Sequence, residues 1–162
     1  MEKVTLRRKI TIWFLYAVSI FSVVWGLTYV FHGDIMSYHR CFLHLYNQHD
    51  YDALVQYNDK VMPLMIGLMQ ILGGGMIVIG IAVFCITKYA FAKGEQWAWW
   101  CLLVMLIITL LPIIYVTHMV ATSIDVTQCT SRPPWMLFCG LFVAVIIAFA
   151  ISWQPVDGNA IK

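Results

Sequence analysis

Four long apolar stretches dominate this chain, running from Ile10 to Phe31, Val61 to Thr87, Trp97 to Thr117 and Pro134 to Trp153. Each is near the ~20 residues that an α-helix, rising about 1.5 Å per residue, needs to cross a ~30 Å hydrocarbon core. With 62% hydrophobic and 11% charged residues in a length of 162, the chain is too apolar for an ordinary soluble domain and too short for a second one. A transmembrane barrel does not fit, because its strands alternate inward and outward, whereas Cys101 to Leu111 is apolar at nearly every position. The expected fold is therefore all-α: an integral membrane four-helix bundle forming one four-span domain over residues 1–162, with spans at 10–31, 61–87, 97–117 and 134–153.

The formal charge of +2 is small and its basic residues are divided among short flanks, so no nucleic-acid surface is present. The lipid bilayer is the expected partner. Met1 to Lys9 resembles a signal peptide in charge, but the apolar run after it is about twice too long and lacks a small-x-small cleavage site. It is expected to stay attached as the first span.

Lys3, Arg7, Arg8, Lys9, Lys88, Lys93 and Lys162 fall on one side of these spans, against Arg40, Lys60 and Arg132 on the other. Positive charge is retained on the cytoplasmic side, so the chain is expected in a bacterial inner membrane as a multi-pass protein with both termini cytoplasmic. The loops His32–Lys60 and His118–Arg132 then lie outside. Trp97, Trp99, Trp100, Trp135 and Trp153 mark the interfaces.

Cys85, Cys101 and Cys139 fall within spans, while Cys41 and Cys129 are in the two outer loops. On an oxidising face that pair either forms a disulfide or remains as two unrelated thiols. In the first outer loop, from Ile35 to Tyr46, Ile35, Tyr38, Phe42 and Leu45 recur at helical spacing, with Arg40, His44 and Asn47 away from them. That pattern predicts a short amphipathic interfacial helix, followed by a cap at Asp50-Tyr-Asp52 for another turn that leads into the second span.

Two packing faces are legible. Gly140, Ala144, Ala148 and Ser152 recur every four residues on the fourth span, a small-residue stripe that lets helix backbones approach in lipid, either within the bundle or as a homodimer seam. Ala144→Leu is accordingly expected to disturb packing more than Val145→Leu. On the second span Met62, Met65, Met69, Gly73, Met76 and Gly80 share one face, suited to core filling or to a soft-metal, lipid or quinone groove. Gly73-Gly74-Gly75 and Pro112 are expected to weaken or kink their helices.

His32, His39, His44 and His49 lie in the first outer loop and His118 ends the third span on the same side. No two of them are four residues apart, so a haem or metal site cannot come from a single helix turn. The topology nonetheless gathers Tyr29, His32, Tyr38, His39, Met62, Met65, Tyr115, His118 and Trp135 at the outer mouth of the bundle, as a candidate site for a lipid head, a quinone or a copper ion. A solvated interfacial loop explains the histidines without any ligand, and that is the favoured reading. No carboxylate falls inside a span, which argues against a proton-driven transporter, and no Cys-x-x-Cys, His-Glu-x-x-His or catalytic serine motif supplies a catalytic residue.

Met36-Ser-Tyr-His39, Gly73-Gly-Gly75, Gly94-Glu-Gln-Trp-Ala98 and Pro133-Pro-Trp135 together resemble small bacterial four-helix membrane proteins, loosely DoxX-like in layout. The resemblance implies a four-span bundle and carries no catalytic residue. The leading functional expectation is a non-enzymatic accessory subunit or lipid- or small-ligand-binding module working at its outer face, with a membrane-protein partner or a second copy available to its helix faces. The alternatives are a membrane oxidoreductase or metal- or quinone-binding protein using the outer His, Tyr and Met groups, and an immunity-type membrane protein; the cofactor is not specified by any motif.

Overall fold

A computed structural model describes residues 6–34, 36–45, 47–124 and 133–153. They form α1 (Leu6–Phe31), α2 (Ser37–Phe42), α3 (Gln48–Tyr57), α4 (Val61–Tyr89), a 3₁₀ turn (Phe91–Lys93), α5 (Gln96–Ser123) and α6 (Trp135–Ser152). No strand occurs among the described residues, and α1, α4, α5 and α6 are each long and apolar enough to cross a membrane. The chain is thus a multi-pass helical membrane protein by length and composition. Below, the end carrying α2 and α3 is called the lid end, and the end carrying the 3₁₀ turn the turn end.

The helices associate mainly as two pairs, α1 with α4 and α5 with α6, joined through α1 and α6. Lipid tails are as apolar as leucine, so close backbone approach, not apolar burial, must hold the first pair. Small residues make this possible. A Cβ built on Gly26 would stand 2.6 Å from the Gly73 carbonyl oxygen, one on Gly73 would stand 2.7 Å from that of Gly26, and one on Gly80 would stand 2.9 Å from that of Ser19. At that last crossing the Ser19 hydroxyl donates to the Gly80 carbonyl over 2.7 Å. Such interhelical bonds contribute roughly 0.6 kcal/mol, up to about 1.7.

Along α4 the buried line is Met62, Met69, Gly73, Met76, Gly80, Val83 and Thr87. The methionines thus fill the shoulders of a glycine seam. Both α4 and α5 remain single helices, through Gly73–Gly75 and Pro112 respectively.

The second pair is held differently. Val145 and Leu102 are fully buried and Phe149 is nearly so, in a core with Leu15, Ala98 and Leu106. The small-residue stripe of α6 does not run along this seam as a whole. Ala148 and Ser152 are buried, Ala144 is partly exposed, and Gly140 is exposed with nothing within 4 Å of a Cβ placed there. The physical reason is period: residues four apart advance about 400° around a helix of 100° per residue, so the stripe drifts off the contact line over three turns.

The turn end is closed by aromatic and polar ties. Trp99 meets Phe149 and Trp153 edge-on, with ring centroids 5.5 and 4.6 Å apart, and its indole N–H donates to the Phe149 carbonyl over 3.3 Å. Fully buried Thr11 donates to the Ala148 carbonyl over 3.1 Å, tying α1 to α6. Arg8 donates to the Phe91 carbonyl and lies 5.8 Å from that ring's centroid. Gly94 then turns the chain at φ +96°, a left-handed conformation that glycine reaches without a Cβ penalty.

The first connecting segment holds two short helices, the second of them where the sequence suggested a further capped turn. The helix begun at Ser37 stops because His44 takes φ +59° and its N–H returns to the Cys41 carbonyl, while Leu45 N–H returns to that of Arg40. Asn47, not Asp50, caps the next helix: its side chain accepts from the Asp50 N–H over 2.9 Å. Ile35 and Tyr46, the ends of the expected helix, lie outside the described residues. Leu45, Tyr51, Leu54 and Val55 pack on Tyr29, Met62 and Met69, whereas Asp52 and Gln56 are exposed, so this lid is amphipathic. The remaining span boundaries differ chiefly in α5, whose 28 residues extend about 42 Å and carry Val120 and Ile124 up beneath Cys41 on α2.

Candidate functional site at the lid end

The seam between α4 and α5 is sparsely packed. Behind it, at the lid end, lies a cavity of about 210 Å³. Its walls come from five helices: Trp25 and Tyr29 of α1, Tyr38 and His39 of α2, Leu72 and Met76 of α4, Pro112, Ile113, Val116, Thr117 and Val120 of α5, and Phe138 of α6. Leu72 and Val116 are about half exposed, at 51% and 49%, and Pro112 is exposed, so these three form the rim on the outer surface of α4 and α5.

Among the described residues no Asp, Glu, Lys or Arg lines the cavity. Its polar groups are few and specific. The hydroxyls of Tyr29 and Tyr38 are 2.6 Å apart, either one donating. His39 stacks against Tyr38 with ring centroids 4.3 Å apart, and its Nδ1 is buried without a hydrogen-bond partner. Burial lowers the His39 imidazole below the ordinary histidine pKa, and burial together with the Tyr29 hydrogen bond pushes the Tyr38 phenol well above the usual tyrosine range. Both groups are therefore neutral at physiological pH. Leaving a buried polar atom unpaired costs about 1–3 kcal/mol, so a polar group facing only apolar walls is poised to pair with an incoming partner.

The lid is anchored from several directions. Arg40 forms an ion pair with Asp34 and lies 5.2 Å from the centroid of the Tyr51 ring, linking α2 to α3. Cys41, buried against Val120 and Ile124, is disulfide-bonded, whereas Cys85, Cys101 and Cys139 are free thiols. Cys129, its sequence-expected partner, lies outside the described residues.

Of the nine residues that the topology gathers at this mouth, Tyr29, Tyr38 and His39 line the cavity and the other six do not. Met62 is buried and Met65 half-buried in the packing between α4 and the lid. His32 and Tyr115 are exposed, the latter at 70%. His118 is exposed beside Trp135, their rings meeting edge-on at 5.1 Å. The separation of Tyr115 and His118 from the cavity has a simple cause: Val116 and Val120 occupy the cavity face of α5, and residues one or two positions away point about 100–200° elsewhere. No three His, Cys, Asp or Glu side chains come together as a metal site among the described residues.

Sequence reasoning did not place Trp25, Val116 or Phe138 at the site, and it named Met76 only on the methionine face of α4 and Pro112 only as a kink. Two signals for them were available. Phe21, Trp25 and Tyr29 repeat every four residues, marking an aromatic face on α1, and Met76 belongs to the same α4 face as Gly73. Val116 and Phe138 carry no such mark, because their juxtaposition depends on how α5 and α6 are seated.

Comparison with protein-family models, curated proteins and solved structures found no match to this chain. The site's chemistry must be read from its own geometry.

Proposed function

We propose that this protein is a non-enzymatic ligand-binding module of a bacterial inner membrane, with both termini in the cytoplasm, and that it takes part of a small apolar molecule into the cavity beneath the lid. The observation that carries this reading is the cavity itself: apolar walls from five helices with a few convergent polar groups, the usual composition of a small-molecule site. The orientation rests on the Lys and Arg distribution and is supported by the disulfide at Cys41, since disulfides persist on an oxidising face. Pairing of Cys41 with Cys129 belongs to the same proposal and would fasten the lid to the second outer loop.

A reporter that is active only in the cytoplasm should give full signal when fused at either end of the chain. Loss of signal at one end would overturn the orientation.

Occupancy is tested by closing the rim. Val116→Trp places a large ring at a half-exposed position, where it disturbs the core little but covers the entrance. Protein purified from membranes should carry a co-purifying small molecule, detected by extraction and mass spectrometry, and Val116→Trp should lose most of it at unchanged yield, up to about nine-tenths for a tenfold drop in affinity (about 1.4 kcal/mol) at a site far from saturation. Equal loading of both proteins would remove the cavity as the binding site.

A further inference from the structure

We infer that the lid-end cavity takes the head of an uncharged membrane lipid bearing a hydrogen-bond acceptor, in its simplest form a carbonyl, which enters sideways from the bilayer between α4 and α5. This deepens the ligand-binding reading above and rests on it. Three observations lead to the class.

The first is electrostatic. No charged side chain among the described residues lines the cavity, and His39 and Tyr38 are held in their neutral forms. A phosphate or carboxylate would be desolvated with no cation opposite, and an ammonium with no carboxylate, which disfavours each strongly in an apolar setting. An uncharged head escapes that penalty.

The second is a count of hydrogens. Each phenol carries one O–H, and the contact between Tyr29 and Tyr38 uses one of the two. The remaining O–H has no partner among the described residues, and both tyrosines line the cavity, so the complementary ligand atom is an acceptor.

The third is size and access. A volume of about 210 Å³ is below the ~300–1,000 Å³ of sites that enclose a drug-sized molecule, so it holds one end of a molecule whose remainder stays outside. The rim residues Leu72, Pro112 and Val116 are exposed on the bilayer-facing side of two spanning helices. A tail leaving there enters lipid. Prenylated quinones and diacylglycerols share this chemistry, an uncharged carbonyl head on a long apolar tail.

The test uses the full-length protein in lipid nanodiscs, titrated with a short-chain prenylated benzoquinone, with dioctanoylglycerol and with dioctanoyl phosphatidylglycerol, and read by native mass spectrometry. One or both uncharged lipids should bind at least about tenfold more tightly than the anionic one, and which of them binds identifies the source. Tyr29→Phe and Tyr38→Phe should each change affinity less than about twofold, because either variant retains one free O–H. The double variant should lose about tenfold, a non-additivity that a merely structural role for the pair would not produce. Tighter binding of phosphatidylglycerol, abolished by Val116→Trp, would overturn the uncharged class and leave the binding module standing. Absence of any binding sensitive to Val116→Trp would overturn both. Should the double variant fail to fold, the wild type carrying a diazirine-tailed diacylglycerol or quinone decides the route: crosslinks on α4 and α5 around Leu72 and Val116 support it, and crosslinks confined to α1 or to the turn end overturn it.

Discussion

Gly73→Ala should destabilise the protein, while Gly74→Ala, one residue away, should leave it unchanged or more stable. The added methyl at position 73 would stand 2.7 Å from both the Gly26 carbonyl oxygen and the Tyr29 Cβ, and neither can swing aside, because one is backbone and the other is fixed to it. The pair α1–α4 must separate, an overpacking penalty of about 1–3 kcal/mol. Against it stands a helix-propensity gain of at most about 1 kcal/mol. At position 74 nothing lies within 4 Å of the new methyl, so only the gain remains. Gly26→Ala, at 2.6 Å from the Gly73 carbonyl oxygen, should behave like Gly73→Ala, and Gly73→Leu should prevent recovery of monodisperse folded protein. Thermal unfolding in a single detergent ranks the three alanine variants against the wild type. Indistinguishable midpoints for Gly73→Ala and Gly74→Ala would mean that the seam relaxes freely and does not hold the pair together.

Val145→Leu should be more damaging than Ala144→Leu. Spacing alone ranks these two the other way, since Ala144 belongs to the small-residue stripe. Burial reverses the order: Val145 is fully enclosed beside Leu102, Leu106 and Phe149, whereas Ala144 is partly exposed. Reshaping and enlarging a side chain in a filled core costs about 1–3 kcal/mol, and Val145→Phe should lie at or beyond the upper end. A substitution at a partly exposed position away from a close contact usually stays within about 0.5 kcal/mol. The same unfolding measurement decides the matter, and a lower midpoint for Ala144→Leu than for Val145→Leu would place a helix contact on the stripe after all, as a second copy or a partner would provide.

These two cases show where sequence periodicity is informative and where it fails. On α4 the spacing of Met62, Met69, Gly73, Met76 and Gly80 identifies the buried face, because the two closest crossings, at Gly73 and Gly80, leave no room for a Cβ and so mark that face in the sequence. On α6 nearly all positions are apolar, since lipid and protein interior accept the same side chains. The face that meets α5 is then not distinguishable by polarity, and a regular stripe of small residues can lie partly on it and partly off it.

The candidate site follows the same division. Tyr29, Tyr38 and His39 were legible because polar groups near an interface stand out against apolar surroundings. Their grouping with Tyr115 and His118 was an inference from topology, which fixes the end of the bundle a residue occupies but not its rotation about its own helix. A rotation of about 100° separates Tyr115 from Val116, the exposed ring from the cavity rim.

What the sequence by itself determined is the number of spanning helices, their approximate limits, the amphipathic lid segment and the glycine seam, all of which follow from hydrocarbon thickness and helix geometry acting on local composition. The tertiary structure alone decided that α1 pairs with α4 and α5 with α6, that the lid breaks into two helices at His44, and that a cavity opens where α4 and α5 fail to close on one another. Those features depend on the distances between backbones seated by Gly26, Gly73 and Gly80 on one side and by Val145 and Phe149 on the other, and a pattern along one chain contains no record of the separation between two helices.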